Sequence, residues 1–314
     1  MDKLAIIVPV YNEEKILFES IKEFNKLLNK LINDKKISND SVIVFVDDGS
    51  KDSSWDILNK LNKEYENVNL IKLSRNFGQQ NAILAGLFNI EADMYITVDV
   101  DLQEDINAIP EMVQKYYEGN EIVYGVRMKR DEDSFMKRFT AEKFYDVSKY
   151  MGMELIKNHS EYRLLSKRAV QALKNFPERN LFLKGIIPLI GFKHDIVYYE
   201  RRKRIGGESK YSYKKLFSLA WEGITSFSTF PLKIITITGF LVSLFSFVFI
   251  LWVLYNKFFT NTSVPGWAST TIIISFIGGV QIFSLGIIGE YIGKIYKEVK
   301  RRPIFIIDKI IKKD

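Results

Sequence analysis

Short apolar runs alternate along the first part of the chain with longer stretches in which hydrophobic positions recur every three or four residues. Leu4 to Val10 is the first run, closed by Pro9-Val10-Tyr11-Asn12. From Glu13 to about Ile32, the residues Ile16, Ile21, Phe24, Leu27, Leu28 and Leu31 line one helical face, with Asn12 as the N-cap. A strand at Val42 to Val46 runs into Asp47-Asp48-Gly49-Ser50, and either Ser53 or Asp52 caps a following helix with Trp55, Leu58 and Leu61. Leu70 to Leu73 is a third strand. Ser74-Arg75-Asn76-Phe77-Gly78 leads into a helix through Ala82, Ala85 and Leu87, and Tyr95 to Val98 is a fourth, β-branched and aromatic strand. This alternation predicts an α/β fold: a mainly parallel sheet with helices on both faces and a ligand crevice at the carboxyl ends of the strands. Farther on, His194 to Tyr199 is β-like, and His194 in its polar start is assigned a structural role.

The later pattern changes in kind. Ile234 to Asn256 is 23 residues without a charge, and a hydrocarbon core needs about 20. A second uncharged stretch runs from Phe258 to Gly289, with Ala268 to Ile288 long enough to cross back. Arg201, Arg202, Lys203, Arg204, Lys210, Lys214 and Lys215 precede the first span, while Lys294, Lys297, Lys300, Arg301 and Arg302 follow the second. The connection holds little beyond Lys257, so the positive-inside bias predicts a membrane protein with the soluble region and both termini in the cytoplasm. Leu216, Phe217, Leu219, Ala220, Trp221, Ile224 and Phe227 predict an interfacial helix that Pro231 ends. Pro303 to Ile307 is expected to return as a short strand, against the soluble region or another subunit. The division expected is a soluble domain over 1–211, an interfacial region over 212–231, two membrane helices over 232–292 and a basic tail over 293–314.

Composition narrows the chemistry. The chain of 314 residues has no cysteine and two histidines, His159 and His194, which excludes disulfides, thiolate catalysis, Cys-type zinc sites and a histidine metal cluster. Its net charge of +7 is compatible with nucleic acid, anionic lipid or phosphorylated substrates. No G-x-G-x-x-G follows the first strand and no P-loop is present, so a nucleotide here would be held through base and ribose by side chains. Three acidic clusters fall at the predicted carboxyl edge: Glu13 and Glu14, Asp47 and Asp48, Asp99 and Asp101. Asp99 and Asp101 either share a hard divalent cation, provided the chain bends after Asp99, or form a polar turn after a buried strand. Asp48 is placed to accept from a base or ribose, and Tyr11 to stack.

Val8 to Glu14 (V-P-V-Y-N-E-E), Val46 to Asp52 (V-D-D-G-S-K-D), Leu73 to Gln80 (L-S-R-N-F-G-Q-Q), Asp99 to Gln103 (D-V-D-L-Q), Gly125 to Arg127 (G-V-R) and Arg204 to Tyr211 (R-I-G-G-E-S-K-Y) occur in the order found in glycosyltransferase family 2. More narrowly, the chain resembles the polyprenyl-phosphate glycosyltransferases, the group of bactoprenol glucosyltransferases and dolichol-phosphate mannosyltransferases. The resemblance implies a nucleotide-sugar-binding GT-A type domain. It maps Pro9, Tyr11, Glu13 and Asp48 to the nucleobase and ribose, and Asp99 and Asp101 to Mg2+ or Mn2+ on the donor diphosphate. Gln103 falls in the sugar pocket, although Glu104-Asp105-Ile106 follows it where the family often has D-P-P. His159 to Leu165 is similar to the family's D-F-R-L segment, with Glu161 for aspartate, and Arg163 can hold Glu161 or bind phosphate.

The implied reaction is inverting transfer of a hexose to polyprenyl phosphate, with UDP-glucose or UDP-N-acetylglucosamine as donor and GDP-mannose as the alternative. Catalytic roles are expected for Asp99, Asp101, Gln103, Arg127, Glu161 and Arg163. The acceptor or diphosphate is assigned to Arg127, Arg163, Arg204, Ser209 and Lys210. The partners expected are the nucleotide-sugar, the lipid phosphate, the membrane and further copies of the chain, with no nucleic acid. A processive polysaccharide synthase would carry more spans and a Q-x-x-R-W motif. A membrane-anchored interaction protein would have no reason to keep six ligand-facing motifs together.

Overall fold

The computed structural model describes residues 1–128, 156, 159–178, 183–200, 225, 229–259 and 266–313. In chain order these give β1 (Leu4–Val10), α1 (Leu17–Asn33), β2 (Val42–Asp47), α2 (Ser54–Glu64), β3 (Val68–Leu73), α3 (Gln79–Asn89), β4 (Met94–Thr97), α4 (Ile109–Tyr117), β5 (Ile122–Arg127) and β6 (His159–Ser166). There follow α5 (Lys167–Lys174), α6 (Leu183–Leu189), β7 (His194–Tyr199), α7 (Phe230–Phe259), α8 (Trp267–Lys300) and β8 (Ile307–Ile311).

One eight-stranded sheet runs β7-β5-β6-β4-β1-β2-β3-β8. Its centre, β4-β1-β2-β3, is parallel, as the alternating pattern predicts. The sheet as a whole is mixed, because β6 runs antiparallel to both β4 and β5 and β8 runs antiparallel to β3. All seven residues of β1 are buried, which explains a continuous apolar run in place of an alternating one: both faces are covered. Leu4, Ile6 and Val8 pack toward Leu17, Ile21, Phe24 and Leu28 of α1. Ala5 and Ile7, on the opposite face by the strand's period of two, join Ala82, Ile83 and Ala85 of α3 with Val170 of α5 and Ile186 of α6.

Several local expectations shift. Helix α1 begins at Leu17, and Asn12 caps no helix; its side chain instead accepts from Lys51 N at 2.8 Å, across to the next loop. Ser53 occupies the N-cap of α2 without a side-chain capping bond, while Asp52 just before it accepts through Oδ1 from Ser54 N at 3.0 Å. Pro231 lies in the first turn of α7, where a missing N–H removes no helical hydrogen bond, so it opens this helix. Helix α8 passes the charge at Glu290 and continues to Lys300. The returning strand forms four residues later than expected and pairs with β3 of the same chain. Residues 129–155 and most of the expected interfacial helix lie outside the described residues.

Two of the described helices are long and apolar enough to cross a membrane, through Phe230–Phe249 and Phe276–Lys300. None of the first segment's apolar window and 6% of the second's is buried. A core helix of a water-soluble domain would hide such residues, whereas Phe240 is 67% and Phe245 70% exposed.

Candidate functional site

The β1, β2 and β4 ends lie side by side, and side chains tie the loops that leave them. Ser50 Oγ accepts from Asn12 N at 3.0 Å, Ser54 Oγ from Glu13 N at 2.9 Å, and Asp52 Oδ2 from Glu14 N at 3.3 Å. Glu14 returns the contact, its Oε2 accepting from Ser53 N at 3.0 Å. Glu14 and Asp52 therefore join two loops. Pro9 is buried opposite Val46, while Tyr11 just beyond it is 39% exposed and Glu13 half-buried.

Asp48 is 2% exposed, and its two oxygens accept from Phe77 N at 2.7 Å and Gly78 N at 2.9 Å. Burial raises its pKa, and those two amides work against the rise. The adjoining loop has no room to spare: Gly49 has φ +66°, and a Cβ there would stand 2.4 Å from the Arg75 carbonyl carbon. Residues 46–50 and 75–78 thus form one packed rim, and α3 starts from it at Gln79.

Beyond β4 the backbone turns sharply through Leu102, whose φ of 53° is rare for a branched residue. The turn brings Asp99, Asp101 and Glu104 together, with one ligand oxygen from each within 4.8 Å of the others. Gln103 is buried, and its N–H donates to Asp101 Oδ1 at 3.2 Å. Gln79 Nε2 donates to Asp99 Oδ1 at 2.6 Å. Arg127, at the end of β5, places Nη2 3.5 Å from Glu104 Oε1 and donates through Nε to Tyr199 OH at 3.2 Å. Desolvation first, then the charges of Glu104, Asp101 and Glu161, drive the pKa of Asp99 well above the usual carboxylate range, and Arg127 opposes them. Three hard oxygen donors whose charges repel one another fit a divalent cation of the Mg2+ or Mn2+ type.

Strand β6 supplies the neighbouring wall. Arg163, 1% exposed, pairs through Nη2 with Glu161 Oε2 and also donates to Ser160 O at 3.2 Å. The contact with Glu161 uses Nη2 alone, and Nε and Nη1 are buried without a hydrogen-bond partner among the described residues. Thr97 of β4 donates its hydroxyl to Glu161 O, fixing the backbone beside the acidic turn. Lys184 on α6 is half-buried in the field of these groups; desolvation lowers its pKa, while Glu161 and Asp99 oppose that shift. Helix α6 is tethered to the rim by Gln80 Oε1, which accepts from Leu183 N at 3.2 Å. His194 stands at the start of β7, edge-on to Tyr124 with ring centroids 5.8 Å apart. Arg204, Ser209 and Lys210 lie outside the described residues.

Residues 5–171 match the family model "Glycosyl transferase family 2". The chain belongs to glycosyltransferase family 2. Among curated relatives, an uncharacterized glycosyltransferase of Bacillus subtilis, YkoT, is 45% identical over 97% of this chain and 91% of its own. The bactoprenol glucosyl transferase of Shigella phage SfII is 40% identical over 98% of each chain. The solved mannosyltransferase PcManGT of Pyrobaculum calidifontis aligns over 96% of this chain and 88% of its own, with a TM-score of 0.47 at 13% identity.

Within this glycosyltransferase the turn after β4 holds a residue that motif reading passed over, Glu104. Its carboxylate, five residues beyond Asp99 and three beyond Asp101, is visible in the chain as D-x-D-x-x-E. Gln79 stood inside a recognised motif without a role. Lys184 and Tyr199 had no local signal, because only the packing of α6 and β7 brings them to the site.

Proposed function

We propose that this family 2 glycosyltransferase transfers a hexose, glucose before N-acetylglucosamine, from a UDP-sugar to polyprenyl phosphate with inversion. The observation that carries the proposal is the Asp99–Asp101–Glu104 cluster at the carboxyl edge of the sheet. It stands in a chain 40% identical, over 98% of its length, to a bactoprenol glucosyl transferase.

In this reading Tyr11, exposed next to Pro9, stacks on the nucleobase, and Glu13 with the remaining lone pairs of Asp48 accepts from base or ribose. Asp99, Asp101 and Glu104 would hold a divalent cation, which supplies positive charge to the departing diphosphate. Gln79 fixes the direction of Asp99, and Arg127 limits repulsion among the carboxylates by its place beside Glu104. Gln103 lines the sugar pocket. The acceptor phosphate is already anionic at neutral pH, so its oxygen attacks the anomeric carbon without a strong general base as the bond to the nucleoside diphosphate breaks. The demand on the protein is orientation and charge balance. Arg127 from the described site, with Arg204, Ser209 and Lys210 by sequence, meets the phosphates; Arg163 acts by holding Glu161.

The two apolar helices are the anchor that keeps a lipid acceptor within reach, with 1–211 and both termini on the cytoplasmic side, as the basic flanks favour. The test is transfer from a panel of UDP-sugars and GDP-mannose to undecaprenyl phosphate, with the product isolated. A single sugar on a monophosphate is expected. A lipid diphosphate product, from transfer of sugar-phosphate, would overturn the chemistry, and preference for GDP-mannose would overturn the donor.

A further inference from the structure

A groove of about 570 Å³ lies between the loop at Arg75–Gly78 and the C-terminal end of α8 with the residues that follow it. Its charged lining is entirely cationic: Arg75, Lys297, Lys300 and Arg302. None of the four pairs with a carboxylate among the described residues. Two are instead seated on aromatic faces, the Arg75 guanidinium 4.0 Å from the Phe77 ring centroid and Lys300 Nζ 4.1 Å from that of Tyr296. An aromatic face orients a cation without neutralising it. Four like charges around one concavity repel, and an anion between them offsets that repulsion.

The position of the groove identifies the anion. Helix α8 carries no basic residue before Lys294, and its basic side chains are gathered in the last turns. On the same turns Ile292, Ile295 and Val299 are 59%, 59% and 74% exposed, an apolar surface continuing from the long apolar segment. The groove therefore opens where lipid-facing surface gives way to charge, at the depth of lipid headgroups. The amides of Phe77 and Gly78, which border the groove, are already taken by Asp48, so recognition is by side-chain charge. We propose that this groove binds the phosphate of an anionic phospholipid, a site separate from the Asp99 cluster.

The test titrates the full-length protein in neutral detergent with short-chain phosphatidylglycerol, with phosphatidylcholine of equal chain length and with UDP, counting bound molecules by native mass spectrometry. Phosphatidylglycerol is expected to bind in preference to phosphatidylcholine and to survive saturating UDP. Replacing Lys297, Lys300 and Arg302 together by glutamine should weaken it about a hundredfold, from roughly fivefold per lost cation. These three side chains are exposed, so folding should tolerate the change, and Lys297→Gln alone should read about fivefold. The control is glutamine at Lys22, Lys26 and Lys60, exposed residues of α1 and α2, which should leave binding unchanged. Equal binding of both lipids, retained affinity in the triple variant, or displacement by UDP would each overturn the site. The last would assign the groove to the donor.

Discussion

Arg127 Nη2 stands 3.5 Å from Glu104 Oε1, joining the end of β5 to the acidic turn after β4. The Glu104 side chain is 3% exposed and that of Arg127 29%, so the pair is shielded on one side and wet on the other. Its worth lies in what removal leaves behind: Glu104 and Asp99 would face each other with less compensation. Arg127→Gln should lower stability by about 1–2 kcal/mol, the buried-pair cost discounted for solvent on the arginine. It should lower transfer more steeply than donor binding. Urea unfolding in detergent, beside kcat and KM for both substrates, checks this; unchanged turnover would remove Arg127 from the charge balance of the site.

Glu104→Gln separates a ligand from a structural acid. The substitution keeps size and removes one of three converging charges, so divalent-cation affinity should fall by about tenfold or more. The metal-free protein should become more stable, because repulsion with Asp99 is relieved. Calorimetric titration of Mn2+ without substrate, together with unfolding under chelator, reads both signs. Intact cation binding in Glu104→Gln, with binding lost in Asp99→Asn and Asp101→Asn, would confine the site to the two aspartates.

His159 gives a pH dependence with a definite sign. Its Nδ1 donates to Ile156 O at 2.6 Å, and burial, then the charges of Arg163 and Lys184, push its pKa down from 6.5 to about 3. A protonated imidazole is thus accepted by the unfolded chain and refused by the folded one. The contribution is complete above pH 6.5 and is lost as pH falls from there toward 3, at up to about 1.4 kcal/mol per pH unit. His159→Gln should flatten the unfolding free energy over that window relative to the parent protein. Parallel slopes for the two would show that this histidine does not resist protonation.

The rim predicts a contrast between two glycines. A Cβ at Gly49 meets the Arg75 and Asn76 backbone at 2.4–2.7 Å, whereas at Gly78, with φ +95°, it meets nothing within 4 Å. Gly49→Ala should therefore cost about 2–4 kcal/mol from strain plus overlap, and Gly78→Ala, at ψ 151° in backbone space nearly exclusive to glycine, less, about 1–3 kcal/mol from strain alone. The same order should hold for donor affinity, since Asp48 and Phe77 move with the rim. Equal losses in urea unfolding would mean that the two loops part easily.

Local pattern carried a great deal of this protein. The runs at Leu4–Val10 and Val42–Asp47, the α1 stripe and the uncharged stretch in α7 were readable because apolar period and length depend on neighbours in sequence. Asp99 and Asp101 were readable for the same reason, lying two residues apart at the end of a strand. Tertiary structure decided what depends on contact between distant segments or on a backbone turn that composition does not encode. Leu102 had to enter the left-handed region for Glu104 to join the aspartates. Insertion of β6 beside β4 set Glu161 next to that turn, and α6 brought in Lys184. At Asp48 the carboxylate is legible as a ligand in the sequence, and only the folded chain shows the two backbone amides, from residues 77 and 78, that orient it. A buried amide has to find an acceptor, and which one it finds is settled by the path of the whole chain.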